Sequence, residues 1–405
     1  MGDIELVNVD RADLDAFVAT MRRLFGQPVR PGHVHVKDML ARSTLARIDG
    51  VDVGTAATLD LQLTVPGGAR VRMDGVTVVV VSPVARRRGV LRALMERLLA
   101  DARERGIPLL GLGATESSIY RRFGYGVASY AGNLEIETAH AAFRTPIADG
   151  GRLSSVPPDE ALPIWLDVEA RQVDRVGAIT RPQPVWRRLL TTPDDDAASQ
   201  GIVQVVVHED AQGVADGFVN YRQEMRWRDE LADGVVHVLQ FCALNRVAHL
   251  ALWQHLLGLD LCEHLEMERY WLDDPIQHLL VDPRRLRVVP RDDLHLRVVD
   301  VVAMLQARRY AREDALVLEV RDDASPDIAG RYRVEGGLDG AVAARTEAPP
   351  DIVLDAPSLG SLMLGDVSAA ALFAAGLVEE VTPGAVRRAS AMFAWQPRPL
   401  LTYMF

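Results

Sequence analysis

"GVTVVVVSPVARRRGVLRALMERLL", residues 75–99, joins five valines in six positions to a stretch in which Leu91, Leu94, Met95, Leu98 and Leu99 recur at helical spacing. A buried strand ending near Val81, a tight turn and an amphipathic helix from Gly89 to about Glu104 follow from that pattern. The first backbone N–H groups of such a helix have no partner within it, and the macrodipole is positive there. Glycine allows an anion close to the backbone, and Arg86, Arg87, Arg88 and Arg92 supply charge-assisted contacts to phosphate. Three consecutive cations at a helix start are electrostatically unfavourable without a ligand, so the junction reads as a pyrophosphate site. Read otherwise, the same arginines are a solvated surface cluster.

Working outward, "ADLDAFVATMRRLFG" has helical periodicity, and "STLARIDGVDVGTAATLDLQLTV" reads as strands around a turn. "IPLLGLGA" reads as a strand, and "SSIYRRFGYGVAS" as a short helix turning on Gly124 and Gly126 into another strand. Proline-rich "SVPPDEALP" and "TRPQPVW" interrupt the pattern, and strands follow in "IVQVVVHED", "GVADGFVNYR" and "GVVHVLQFCAL". An ungapped offset of 159 residues lays "GVVHVLQFCALNRVAHLALWQHLL" on the opening stretch. Leu94 then falls on Trp253 and Leu98 on Leu257, whereas Arg86, Arg88 and Gly89 fall on Asn245, Val247 and Ala248. The repeat keeps the helical stripe and loses the charge. Beyond it, "VVAMLQARRY", "LVLEVRDD", "GRYRVEGG", "DIVLDAPSLGSLMLG" and "AALFAAGLVEEV" suggest short antiparallel strands with a few helices, a third core beginning near Arg291.

The chain of 405 residues is long enough for three domains, and 48% hydrophobic and 25% charged residues are an ordinary globular mixture. A formal net charge of −11 argues against nucleic acid as the main partner and fits cationic ligands better. No apolar run approaches the roughly 20 residues of a membrane helix, and "MGDIELVNVD" lacks a signal-peptide layout, so a cytoplasmic location without membrane association is expected. Cys242 and Cys262, in apolar surroundings and without C-x-x-C spacing, read as core packing, and no metal site is expected. Asp194–Asp196 reads as an exposed loop. The chain ends "LLTYMF" with no polar tail, which suggests a buried terminus.

The string "RRRGVL" resembles the coenzyme A signature R-x-x-G-x-G/A of the GCN5-related N-acetyltransferase (GNAT) superfamily, with Arg86 and Gly89 in place and Leu91 at the small-residue position. The longer "GVTVVVVSPVARRRGVLRALM" is similar to the Eis-like (enhanced intracellular survival) branch, in which "RRRGVLR" is the expected form, and the resemblance covers essentially the whole chain. It implies an α/β (α+β) chain of tandem GNAT-like mixed-sheet domains followed by a sterol-carrier-protein-like α+β domain. The expected limits are 1–145 for the catalytic domain, 146–290 for a degenerate second copy and 291–405 for the third.

The resemblance also implies acetyl-CoA as co-substrate, its pyrophosphate on the amides of Arg87, Arg88, Gly89, Val90, Leu91 and Arg92. Its pantetheine arm would lie along Val79, Val80 and Val81, with Thr115 and Glu116 as further contacts. Glu116, beside a polyanion, would contribute through its backbone, and it reads equally as a loop or helix-start residue. The family's general acid stands in the pattern Y-x-x-x-G-[FY], met by Tyr120, Gly124 and Tyr125; a phenol with an ordinary pKa of about 10 can protonate a leaving thiolate. The general base would be the α-carboxylate of Phe405. Family acceptors are aminoglycosides, polyamines and lysine side chains, and family members are commonly hexamers. The family often carries an acidic residue just before the terminus, where Tyr403 and Met404 stand here. The competing readings are a non-catalytic coenzyme A sensor and a lipid-binding protein led by the third domain.

Overall fold

The structure, a computed structural model, describes residues 3–27, 40–145, 150–172, 175–180 and 201–405. Asp194–Asp196 and all of "TRPQPVW" beyond Thr180 lie outside the described residues. Strand β1 (Ile4–Asn8) leads to helix α1 (Leu14–Leu24), which buries Leu14, Phe17 and Met21 on one face. β2 (Arg42–Ile48) and β3 (Val51–Thr64) form the expected hairpin. β4 (Arg70–Val81) starts earlier than the valine run, and its end, Thr77–Val81, is half-buried rather than buried. α2 (Val90–Glu104) buries Val90, Leu94, Met95, Leu98 and Leu99. β5 (Leu109–Leu112), α3 (Ser117–Tyr120), a tighter turn at Arg121–Phe123 and β6 (Gly126–Val127) complete the first stretch.

Residues 131–173 and 182–291 form a compact unit of their own. Its elements are β7 (Tyr130–Glu137), β8 (Gly151–Val156), α4 (Pro158–Ala170), β9 (Gln204–Asp210), β10 (Ala215–Glu224), the ribbon β11 (Trp227–Arg228) and β12 (Leu231–Ala232), and β13 (Gly234–Ala243). α5 (Arg246–Leu257), β14 (Cys262–Tyr270), α6 (Ile276–Leu279) and β15 (Leu286–Asp292) follow. The sheet runs β15-β7-β14-β13-β10-β9-β8. The prolines of "SVPPDEALP" do not interrupt: Pro158 opens α4 at a position whose N–H would have no helical partner. Cys242 and Cys262 are buried free thiols.

The repeat is visible as β13 and α5, and Trp253, the counterpart of Leu94, is fully buried. Its helix start is closed from within. Asn245 takes the N-cap and its side chain accepts the Ala248 N–H at 3.0 Å, while its amide donates to Asp216, 2.6 Å away, which in turn holds His208 at 2.5 Å. A self-capped start presents fewer free N–H groups to an anion than the uncapped start of α2. Asn245→Ala should cost about 1 kcal/mol of stability, read by denaturant unfolding.

The last stretch comprises β16 (His295–Val298), α7 (Val301–Ala307), β17 (Asp314–Arg321), β18 (Gly330–Gly337), β19 (Gly340–Arg345), β20 (Ile352–Asp355), α8 (Ala356–Leu362), α9 (Ala369–Ala374), β21 (Val378–Glu380) and α10 (Ala385–Phe393). β16 joins the first sheet, whose order is β1-β2-β3-β4-β5-β16-β6, and the remaining strands form the sheet β19-β18-β17-β20-β21. Residues 1–130, 174–181 and 292–405 together make the other compact unit. Leu59, Leu61 and Met73 of the first sheet share one apolar cluster with Leu316, Leu318, Val334 and Met363. Leu316, Leu318, Val334 and Met363 are buried in the third domain's interior, and a cavity of about 680 Å³ in that domain is lined mostly by charged and polar residues, among them Glu319, Arg321, Asp323 and Arg331.

Within that interior Arg308, 1% exposed, donates to the carbonyls of Leu362, Met363 and Phe393 at 2.6, 3.1 and 2.8 Å. Its guanidinium lies over Tyr310 and Phe393, each 4.7 Å from the ring centre, and burial pushes its pKa down to about 10. It thus binds the C-terminal ends of α8 and α10, where carbonyls lack helical partners and the dipole favours a cation. Arg308→Met should lower stability by roughly 3 kcal/mol, because several buried carbonyls lose a charged donor; a thermal transition unchanged within error would refute this.

Candidate active site

β4 and β5 pair in parallel over only three positions, ending at Gly75 opposite Gly111, while β4 stays paired with β3 as far as Val81 opposite Gly54. The two central strands therefore part just after Gly75. A bulge sharpens the divergence, with Val78 and Val79 both facing Ala56 and Val78 at φ 48°. That is a costly conformation for a β-branched residue, and Thr55 Oγ1 secures it by donating to the Val78 carbonyl at 2.7 Å. Val79–Val81 pair with no strand on the β5 side among the described residues, which explains their half-burial. An extended ligand could add to that edge in the manner of a strand.

The turn after Val81 contains two left-handed positions, Arg87 at φ 62° and Gly89 at φ 89°. Gly89 is the N-cap of α2 and no side chain caps the helix. The N–H groups at the start of α2 are thus available to an anion. Arg86, Arg87 and Arg92 are exposed and Arg88 is half-buried. No carboxylate among the described residues pairs with them, whereas Arg97, one turn on, pairs with Asp101 at 2.9 Å. Thr115 and Glu116 are exposed on the loop leaving β5, with Glu116 just before α3 and making no side-chain cap.

Tyr120 ends α3 and joins one apolar cluster with Val76, Ala85, Val90 and Leu94, against which Val79, Val81 and Leu91 also pack. The free edge at Val79–Val81, the arginine turn and Tyr120 thus come together around one apolar cluster. Burial, reinforced by the charge of Glu116, raises the Tyr120 hydroxyl above its ordinary 10.0. Gly124, at φ 86°, lies against the guanidinium of Arg297; a Cβ there would stand 2.6 Å from its Cζ. Tyr125 packs edge-on to Tyr120 with ring centres 6.1 Å apart, and its buried hydroxyl has no partner among the described residues. Tyr120 and Tyr125 thus differ in environment, and only Tyr120 keeps some exposure (9% against 2%).

The C-terminus reaches the same place. A Cβ on Gly75 would stand 2.8 Å from Phe405 Cε2, so the terminal ring lies on the glycine where β4 and β5 part. Met404 lies directly against Gly113, just past β5. Tyr403 and Phe405 are half-buried, their rings 6.5 Å apart, and pack against the cluster beneath the sheet.

Several contributors had no reading in the sequence. Glycines at 75 and 113 inside or beside strands signal a close approach, but not by what. Asp292 lies 2.6 Å from His295 Nε2 and also accepts from Ser117 at the start of α3. Burial alone would raise its pKa, yet these two partners hold it below the ordinary carboxylate range. Beside Gly75, the buried Asp74 takes Arg42 at 3.2 Å and also Arg105.

Comparison with known proteins decides the family. Residues 5–128 and 177–298 each match an acetyltransferase (GNAT) domain, and 301–402 match a sterol carrier protein domain. An uncharacterized N-acetyltransferase of Streptomyces avermitilis is 38% identical over 355 residues, 87% of either chain. N-acetyltransferase Eis of Mycobacterium tuberculosis is 35% identical over 355 residues, 84% of this chain and 83% of that one. This chain belongs to the Eis-like GNAT family. The crystal structure of Eis1 from Mycobacterium abscessus matches the Eis-like fold over 100% of both chains, with TM-score 0.84 and 33% identity. The Eis-like chain is an N-acetyltransferase built from two GNAT domains and a sterol-carrier-type domain, and acetyltransferases of this class use acetyl-CoA as co-substrate. No helix of the described residues is long and apolar enough to cross a membrane.

Proposed function

We propose that the chain transfers the acetyl group of acetyl-CoA directly to an amine of a cationic acceptor, an aminoglycoside, a polyamine or a lysine side chain, in a ternary complex. The observation that carries this reading is the chain's own terminus seated on Gly75, where β4 and β5 part. The pyrophosphate lies on the amides of Arg87–Arg92, and the pantetheine arm adds to the free edge at Val79–Val81. Thr115 and Glu116 contribute from the neighbouring loop. The acceptor nitrogen attacks the thioester carbonyl, a C–N bond forms, and the C–S bond breaks. Tyr120 delivers its proton to the departing sulfur. The Phe405 carboxylate receives the proton lost by nitrogen. Its ordinary pKa, about 3.5, is far below that of an ammonium, so it works through desolvation, a water, or by holding an already neutral amine.

The test is thiol release from acetyl-CoA across aminoglycosides, polyamines and lysine peptides, with the native C-terminus left free. Turnover on any class supports the reading, whereas cofactor binding with no turnover on all three favours a coenzyme A sensor. Tyr120 acts as an acid only while protonated, and its pKa is raised. The kcat profile should therefore show no falling limb below about pH 10; a descending limb between pH 7 and 9 would contradict Tyr120 as the acid. Replacing both Arg88 and Arg92 by Ala should raise the coenzyme A Kd at least about tenfold, measured calorimetrically, because each removes a charge-assisted contact. A cytoplasmic hexamer with the domain limits expected above completes the proposal; mass in solution checks the assembly.

A further inference from the structure

Eight residues leave the sequence of the second domain to join the other compact unit. Residues 174–181 belong with 1–130 and 292–405, although the chain on either side, 131–173 and 182–291, belongs to the second unit. The described part of this excursion, 175–180, pairs along both of its edges. On one edge it extends β3 as an antiparallel strand: Gly177 N–H donates to the Thr64 carbonyl at 2.9 Å, Thr64 N–H to the Ala178 carbonyl at 2.8 Å, and Ile179 bridges Leu63. On the other edge lies the C-terminal tail. Leu400 N–H donates to the Val176 carbonyl at 2.9 Å, and Ile179 N–H to Thr402 Oγ1 at 3.4 Å. Val176 and Ile179 are buried beneath it (3% and 4% exposed).

The close approach at Gly177 is specific. Its φ is 87°, and a Cβ there would stand 2.9 Å from both the nitrogen and the carbonyl oxygen of Leu400. Those are backbone atoms, which cannot swing aside as a flexible side chain would. Leu400 lies five residues before the terminal carbon of Phe405, so the pairing at 176–179 holds the backbone close to the terminus. A terminus held only by its own side chains would sample many orientations, and a catalytic group misplaced by about 1 Å loses about 100-fold in rate.

We propose that the segment 175–180 is a built-in guide that sets the position of the terminal carboxylate, with Gly177 and Thr402 as positioning residues. The proposal rests on the reading of Phe405 as the proton acceptor. It accounts for why a piece of the second domain's sequence is built into the first unit: that domain's chain supplies the track along which the third domain's tail returns to the first.

Three forms decide it: Gly177→Ala, Thr402→Val, and the chain extended by residues after Phe405. Gly177→Ala should lower kcat about 100-fold and Thr402→Val about fivefold, by loss of one hydrogen bond. The coenzyme A Kd and acceptor KM should stay within about threefold, since 175–180 touches neither the arginine turn nor Val79–Val81. In Gly177→Ala the rate should keep rising toward pH 10, where the amine loses its proton unaided, a change that mere loosening of the fold would not produce. Should Gly177→Ala fail to fold, Thr402→Val carries the test with the same pH signature. Wild-type kcat in both substitutions, alongside inactivity of the extended chain, would overturn the guide and leave the terminal base standing. Full activity of the extended chain would overturn both.

Discussion

Tyr120→Phe is expected to lower kcat by about 10²–10⁴-fold while leaving the Kd for coenzyme A within twofold. The substitution removes one oxygen from a residue packed among Val76, Val90 and Leu94, and the ring's contacts survive. What is lost is the proton for the departing thiolate. The structure separates this tyrosine from its neighbour: Tyr125 is wholly buried, its hydroxyl pushed up strongly by desolvation, and it touches no part of the arginine turn through its hydroxyl. Tyr125→Phe should therefore leave kcat within about threefold, and because a buried unpartnered hydroxyl is a cost, stability should hold or rise slightly. Thiol release under saturating acetyl-CoA, with calorimetric Kd alongside, reads both. Equal losses in the two variants would remove Tyr120 from its role and point to packing around Gly124.

Extending the chain beyond Phe405 by even two residues should lower kcat by about 10²–10³-fold, since the α-carboxylate becomes an amide and the charge moves away from the site. Gly75→Ala asks the same question from the opposite side. The new methyl would stand 2.8 and 2.9 Å from Phe405 Cε2 and Cδ2 and 2.5 Å from Leu61 Cδ1. The terminal ring is the movable neighbour, because Leu61 is 3% exposed in the core while Phe405 is half-buried. Gly75→Ala should thus displace the terminus and lower kcat about tenfold or more at nearly constant coenzyme A Kd. An extended chain with full turnover would refute the terminal carboxylate as base, whatever Gly75→Ala does.

The arginine turn was legible because the physics that makes it is local. A valine strand, a glycine at the helix start and a helical stripe specify strand, turn and helix within one stretch, and the N–H groups at Val90, Leu91 and Arg92 are a property of any uncapped helix start. The damaged repeat was legible for the same reason, and the structure supplies the chemical form of the damage: Asn245 fills its own helix start. The need for Gly124 was readable as a motif position, but its cause was not, since Arg297 lies 173 residues further along. "SVPPDEALP" misled because Pro158 opens α4 at a position that needs no helical N–H and Pro163 stands inside that helix without ending it, which the flanking structure alone decides.

Local pattern by itself determined the α/β character, the two related strand-turn-helix units and the polarity of the arginine turn, because each depends on residues within about one helix length of one another. What tertiary structure alone decided is where distant pieces meet. β16 enters the first sheet beside β5, 175–180 leaves the second domain to pair with β3, and Phe405 comes to rest on Gly75. The reason is physical: hydrogen-bonding edges and glycine-sized gaps accept any segment that fits, and which segment arrives is settled by burial summed over the whole core rather than by the residues at the contact.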